Sequence, residues 1–160
     1  MNYFPTFKEH NNSKNPLLFL SKKSIITFEE AFSGILFGLV APVKEYQLSW
    51  HLNKVLNFDL KRRDDLEIID RKKNKTSSFS FYHHEDDLDK WQVFVLSNKY
   101  RGEFLVPEIK QADYLLMIRG EVSEMQAGEI YSRLKSISVI YLVVKMDYEK
   151  LKSKRNLMVE

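Results

Sequence analysis

The run His83-His84-Glu85-Asp86-Asp87 has more metal-ligand character than any other part of this chain. Were it to continue a strand, His83, Glu85 and Asp87 would share one face and offer three ligands to a cation. Acids in this number also suit a turn, and a turn breaks that alternation. The run therefore reads as the polar end of a hairpin with its histidines toward solvent. Glu108 and Asp113 form a second pair of chemical interest. Acid catalysis by two carboxylates requires burial or neighbours that separate their pKa values, and their spacing reads more simply as loop anchoring by hydrogen bonds and ion pairing. His51, inside a helical stretch, reads as a surface residue. No G-x-S-x-G is present, and none of the 5 glycines falls in G-x-x-x-x-G-K or G-x-G-x-x-G spacing. The expectation is a non-enzymatic protein with no catalytic, cofactor-binding or metal residue.

Bulk properties narrow the class further. A length of 160 residues with 44% hydrophobic and 29% charged content suits one globular domain with its own core. Zero cysteines removes disulfides and thiolate chemistry and makes the cytoplasm the simplest compartment. The apolar run from Ile35 to Val43 stops at Lys44, far short of the roughly 18 residues of a membrane helix, so no membrane association is expected. Residues 1–23 contain Asn11-Asn12-Ser13-Lys14-Asn15-Pro16 and read as a loose N-terminal extension to a single domain at 24–160.

Periodicity places the elements. Gly34 to Val40 is an almost continuous apolar strand ended by Pro42, and Val43 to Asn57 follows with Leu48, Leu52, Val55 and Leu56 at helical spacing. Leu60 to Asp70 reads as a charged edge segment. Phe79 and Phe81 alternate with Ser78 and Ser80, and a hairpin joins this strand to Trp91–Leu96. Leu115-Leu116-Met117-Ile118 is a buried strand. Ser123-Glu124-Met125-Gln126 resembles a capping box before the stripe Ala127, Ile130, Tyr131, Leu134 and Ile137, and Ser138 to Lys145 reads as the last strand. This order predicts an α+β fold: an antiparallel-rich sheet with two main helices on one face, in a split βαβ, ferredoxin-like outline.

Val106-Pro107-Glu108 followed by Ala112-Asp113-Tyr114 resembles the signature of the IPExxxVDY family, a small bacterial family with no established activity. The resemblance extends to Glu45-Tyr46-Gln47-Leu48-Ser49-Trp50-His51-Leu52-Asn53-Lys54, similar to that family's aspartate-tyrosine helix, and to Leu96-Ser97-Asn98-Lys99. Val106 stands for isoleucine and Ala112 for valine. The resemblance carries no catalytic residues across. Independently of it, Pro107 lacks an N–H and pushes Val106 into an extended conformation, so the motif reads as a structural loop feeding a buried strand.

Partners are expected at surfaces. Tyr46 and Trp50 lie four apart, opposite the apolar stripe of their helix, with Asn53 continuing the line; this is either a candidate contact surface for a protein partner or, if the helix is sandwiched, part of the core. Three strands apolar on both faces leave one face to be covered by a second copy, giving a homodimer, by Leu17 to Leu20 folding back, or by Asp147 to Leu157 as a third helix across the sheet. Lys61, Arg62, Arg63, Arg71, Lys72 and Lys73 make a candidate basic patch for RNA, partly neutralised by Asp64, Asp65, Glu67 and Asp70. The leading expectation is a binding or regulatory module acting through protein or small-ligand contacts. An RNA-associated protein using region 61–75 is the alternative.

Overall fold

The structure is a computed structural model that describes residues 32–159; the N-terminal extension 1–23 and the segment Ser24 to Phe28 lie outside the described residues. Among the described residues, eight strands and two α-helices follow in the order β1 (Gly34–Val40), α1 (Glu45–Leu56), β2 (Lys61–Asp70), β3 (Lys75–Asp86), β4 (Trp91–Ser97), β5 (Lys99–Tyr100), β6 (Glu103–Phe104), β7 (Tyr114–Arg119), α2 (Glu124–Ser136) and β8 (Leu142–Met146). Six strands build one antiparallel sheet in the order β2-β3-β4-β7-β1-β8, and β5 with β6 forms a separate small hairpin. The protein is α+β, as its alternating patterns predict.

The ferredoxin-like strand order does not form. Strands β7 and β8 both run antiparallel to β1, hence parallel to one another with β1 between them and α2 linking them. The strand after α1, however, goes to the far edge, with β3, β4 and β7 separating it from β1. Two tight turns explain this: β2, β3 and β4 are joined by short hairpins, so consecutive strands pair with each other and β2 is displaced outward.

Each helix has local reasons to start and stop. The Ser123 hydroxyl accepts from the Gln126 N–H at 3.1 Å while Gln126 Oε1 accepts from the Ser123 N–H at 2.9 Å, a complete capping box at the head of α2. Gln47 returns in the same way to the Lys44 N–H at 3.1 Å, and α1 ends at Asn57 in the left-handed conformation, φ 57°. Leu48, Leu52 and Leu56 of α1 and Ala127, Ile130 and Leu134 of α2 enter one core with Phe37, Leu39, Val93, Val95, Leu116 and Ile118. Burying a leucine of this kind contributes about 2 kcal/mol relative to leaving it exposed.

Residues of opposite parity on the same strands, Leu36, Phe94, Leu96, Leu115 and Met117, are also fully buried, so the sheet has a second core. The chain itself covers it. Tyr148, Leu151, Leu157 and Val159 are buried in the C-terminal segment, which forms short 3-10 turns at Tyr148–Lys150 and Lys154–Leu157 rather than a third α-helix. Arg119 donates to the carbonyls of Val159 at 2.6 Å and Leu157 at 2.9 Å, and Asn156 donates to the Leu105 carbonyl at 2.8 Å. The uncovered face on which the expected homodimer rested is therefore closed here within one chain. Tyr141, by contrast, precedes β8 and is exposed, because the last strand begins only at Leu142. No helix among the described residues is long and apolar enough to cross a membrane.

Candidate functional site

The signature folds as a loop between β6 and β7: Pro107 opens a 3-10 turn, Pro107–Ile109, and Val106, Ile109 and Ala112 are buried against the second core. Asn98, at the end of β4, organises this loop. Its side chain donates to the carbonyls of Ile109 at 2.9 Å and Ala112 at 3.1 Å and accepts from the Val106 N–H at 2.7 Å. Its backbone donates to the Asp113 carbonyl at 2.8 Å and accepts from the Leu105 N–H at 3.0 Å. Glu108 and Asp113 serve different neighbours. The Ser153 N–H and hydroxyl reach Glu108 at 2.8 and 2.7 Å. Partial burial opposes ionisation of Glu108, but these hydrogen bonds outweigh it and hold the carboxyl below its ordinary value.

Asp113 stands where three strands end. Its Oδ2 accepts from the Ala41 N–H at 2.9 Å, just past β1, while its Oδ1 meets Lys99 Nζ at 2.7 Å, just past β4. The next residue, Tyr114, donates its hydroxyl to the Val43 carbonyl, and burial above all pushes its pKa up to about 12. These residues line a cavity of about 350 Å³ whose remaining wall includes Glu45, Arg62, Asp65, Ser78, Ser80, Ser97 and Tyr100.

A β-bulge shapes the opposite wall. Arg63 pairs with Phe81 and Leu66 with Phe79, so Asp64 and Asp65 together oppose Ser80. The extra residue re-aims the strand, and Asp65 meets both the Arg62 guanidinium and the Ser78 hydroxyl, the latter at 2.6 Å. The Ser78 hydrogen bond, followed by that of Arg62, lowers the Asp65 pKa. Ser97 Oγ accepts from the Ser80 N–H at 2.8 Å, leaving the Ser97 hydroxyl proton free to point into the cavity. The site is thus a polar hollow with an Arg62–Asp65 pair on one side, a Lys99–Asp113 pair on the other and serines between.

The other residues singled out from sequence are scattered. Tyr46 and Trp50 are 59% and 58% exposed on α1, with Lys54 Nζ 5.1 Å from the Trp50 ring. Asn53 does not join them: its side chain accepts from the Leu60 N–H at 2.8 Å and donates to the Leu60 carbonyl at 3.4 Å, fixing the α1–β2 connection. The six basic residues do not form one patch. Lys61, Arg62 and Arg63 begin β2 and Arg71, Lys72 and Lys73 follow its end, roughly 30 Å away at the usual rise per residue. Arg62 is consumed by the polar cavity, and Lys61 pairs with Asp59 at 3.0 Å.

The strand does continue through the histidine run, since β3 extends to Asp86. His83 is consequently buried rather than solvent-facing, stacked on Phe94 with ring centroids 4.8 Å apart, and His84 packs against Phe58 at 5.4 Å. Burial is the main reason the His83 pKa is lowered, with Arg63, His84 and Arg119 reinforcing it against Glu85. A second cavity of about 300 Å³ opens beside His83, His84, Glu85 and Asp87. No group of three histidine, aspartate or glutamate side chains among the described residues is arranged to hold a metal ion.

Sequence reasoning missed Asn98, Ser80, Ser97 and Lys99 as site residues. The signals available were the place of Leu96-Ser97-Asn98-Lys99 in the resemblance and the run of three polar residues that ends the apolar strand. Comparison with known proteins found no matching family model, and neither a curated protein nor a solved structure similar to this chain.

Proposed function

We propose that the chain is a non-enzymatic binding module of the IPExxxVDY kind, working in the cytoplasm, whose polar cavity takes a small ligand bearing both charge signs or amide groups. One observation carries this reading: Asp113 and Tyr114 of the signature line the same 350 Å³ hollow as two ion pairs of opposed position. Paired charges of both signs complement a zwitterion, and the serine hydroxyls supply donors and acceptors for an amide. Among the described residues no histidine lines this cavity, and its Ser78 hydroxyl is engaged by Asp65 at 2.6 Å. The exposed Tyr46 and Trp50 favour a protein partner as the second route by which such a module would act.

A thermal-shift panel of free amino acids, dipeptides and small zwitterions tests the reading. A binder present at a hundred times its Kd stabilises the fold by about 2.7 kcal/mol. The shift is expected in the wild type and lost in Arg62→Ala and Lys99→Ala. A panel that leaves the melting temperature unchanged, or turnover of any member, overturns it.

A further inference from the structure

The two hairpins at one end of the molecule form a surface that the linear sequence does not display. Strand β3 meets β4 only from Phe81 onward, so Lys75–Ser80 and their β2 partners extend past the sheet as a two-stranded ribbon. Arg71, Lys72 and Lys73 form its tip, all exposed, with Lys75 at the start of β3. Asp70 Oδ1 accepts the N–H groups of Lys72 at 3.0 Å and Lys73 at 3.2 Å, which fixes the turn and directs its own charge inward to the backbone. The β5–β6 hairpin lies against this ribbon: Glu103 binds Lys75 at 2.8 Å and approaches Lys73 at 4.0 Å, and Tyr100 packs on Phe79 at 6.1 Å. Arg101, at the β5–β6 turn, sits 5.4 Å from the Tyr100 ring.

Charge is concentrated here. Arg71, Lys72, Lys73, Lys75 and Arg101 face only Asp70 and Glu103, an excess of three positive charges that equals the net charge of +3 of the whole chain. Everything outside this end sums to neutrality. Neither Arg71, Lys72 nor Arg101 has a carboxylate at ion-pair distance among the described residues. Unpaired cations on two adjoining hairpin tips, with a half-exposed tyrosine already stacked by arginine, match the chemistry of a phosphodiester chain carrying unstacked bases. We propose that this end, built from residues 70–75 and 100–103, binds single-stranded nucleic acid through its phosphate backbone, with Tyr100 offering a stacking face. The surface shares Tyr100 with the wall of the small-ligand cavity, but its cations at 71–75 and Arg101 lie outside that cavity.

Fluorescence anisotropy with a 20-nucleotide single-stranded RNA, and with DNA of the same sequence, tests it at about 50 mM salt and upward. Binding is expected to weaken with salt, log K falling by about 0.7 per log unit for each phosphate contacted. Lys72→Glu combined with Arg101→Glu is expected to weaken binding at least about tenfold and to flatten that slope. Lys61→Glu combined with Arg63→Glu, at the far end of β2, is expected to change it less than about twofold. A preference of RNA over DNA would identify the 2′-hydroxyl as a further contact, and equal affinity would assign binding to the shared backbone and bases. Absence of binding at 50 mM salt, equal loss in both double variants, or binding only to phosphatidylglycerol vesicles overturns the proposal. All four substituted positions are exposed, so an unchanged circular dichroism spectrum separates loss of binding from loss of fold.

Discussion

Asn98 Oδ1 accepts the backbone N–H of Val106 at 2.7 Å, and through this bond the end of β4 grips the first residue of the signature loop. The same side chain spans both ends of that loop, because its amide nitrogen reaches the carbonyls of Ile109 and Ala112. One fully buried asparagine thereby replaces the hydrogen bonds that an irregular segment laid over a sheet would otherwise lack.

Asn98→Ala is expected to be among the most damaging single substitutions in the chain. It strands three buried backbone groups, each at a cost of about 1–3 kcal/mol, and a total near 3 kcal/mol after partial relaxation is the expected loss in urea unfolding. Asn98→Asp keeps the acceptor for Val106 but turns a carboxylate oxygen toward two carbonyls. Its destabilisation should therefore ease as pH falls and the carboxyl gains a proton to donate. A melting temperature for Asn98→Ala matching the wild type would remove Asn98 from this role.

Asp113 and Lys99 form one ion pair, yet their truncations are expected to differ. Lys99 is 45% exposed and contributes only a screened surface attraction, so Lys99→Ala should cost less than about 1 kcal/mol. Asp113 is 22% exposed and also accepts the Ala41 N–H, so Asp113→Ala should cost about 1–2 kcal/mol. Equal losses in denaturant unfolding would mean that the Ala41 hydrogen bond contributes nothing.

The hydrophobic pattern made β1, the β3–β4 hairpin, β7 and both helices legible, because Leu48, Leu52 and Leu56 or Phe79 and Phe81 repeat at the spacing their element requires. The strand order was not legible: pairing β7 with β4 and β1 is a long-range choice that no local period encodes. Polar scaffolding was hidden for a related reason. Asn98 is one residue with no repeat to announce it, and the bulge at Asp64 and Asp65 looks in sequence like two more charges on an edge. The histidine run differs from its reading as a polar hairpin end because its acids resemble a turn, whereas packing of His83 and His84 on Phe81, Phe94 and Phe58 accompanies a strand that runs on to Asp86. The need to cover a second apolar face was legible, with Asp147 to Leu157 one candidate; which cover forms was not, because Tyr148, Leu151, Leu157 and Val159 belong to a segment of 3-10 turns, which present apolar side chains without helical or strand spacing.

His83 is expected to make stability depend on pH in the mildly acidic range. Its folded pKa lies below the ordinary value of 6.5, chiefly through burial, so at pH values under 6.5 the unfolded chain takes up a proton that the folded chain refuses. Stability contributed by the neutral ring is complete above 6.5 and falls as pH drops from there toward the folded pKa. His83→Phe preserves the stacking on Phe94 and removes the proton. Chemical denaturation at a series of pH values should show a shallower decline below 6.5 in the variant. Parallel profiles would show that His83 titrates alike in both states.

Two glycines predict opposite outcomes for the same substitution. Gly34 opens β1 at φ 150°, and a Cβ placed there would lie 2.0 Å from the backbone oxygen of Ile118 on the neighbouring strand. Neither atom belongs to a flexible side chain, so the β1–β7 register would have to part at that end; Gly34→Ala should cost more than about 2 kcal/mol. Gly128 lies within α2 and meets nothing within 4 Å of an added Cβ. There glycine only lowers helix propensity, so Gly128→Ala should stabilise the protein by about 0.5–1 kcal/mol. Gly128 also lines an apolar groove of about 470 Å³ between α2 and β8, with Phe37, Tyr131 and Val143, and one methyl group leaves that groove largely open. Scanning calorimetry on the two variants decides the matter: a rise for Gly128→Ala beside a fall for Gly34→Ala is expected, and a fall in both would mean that α2 packs more closely on β8 in solution than the open space at Gly128 allows.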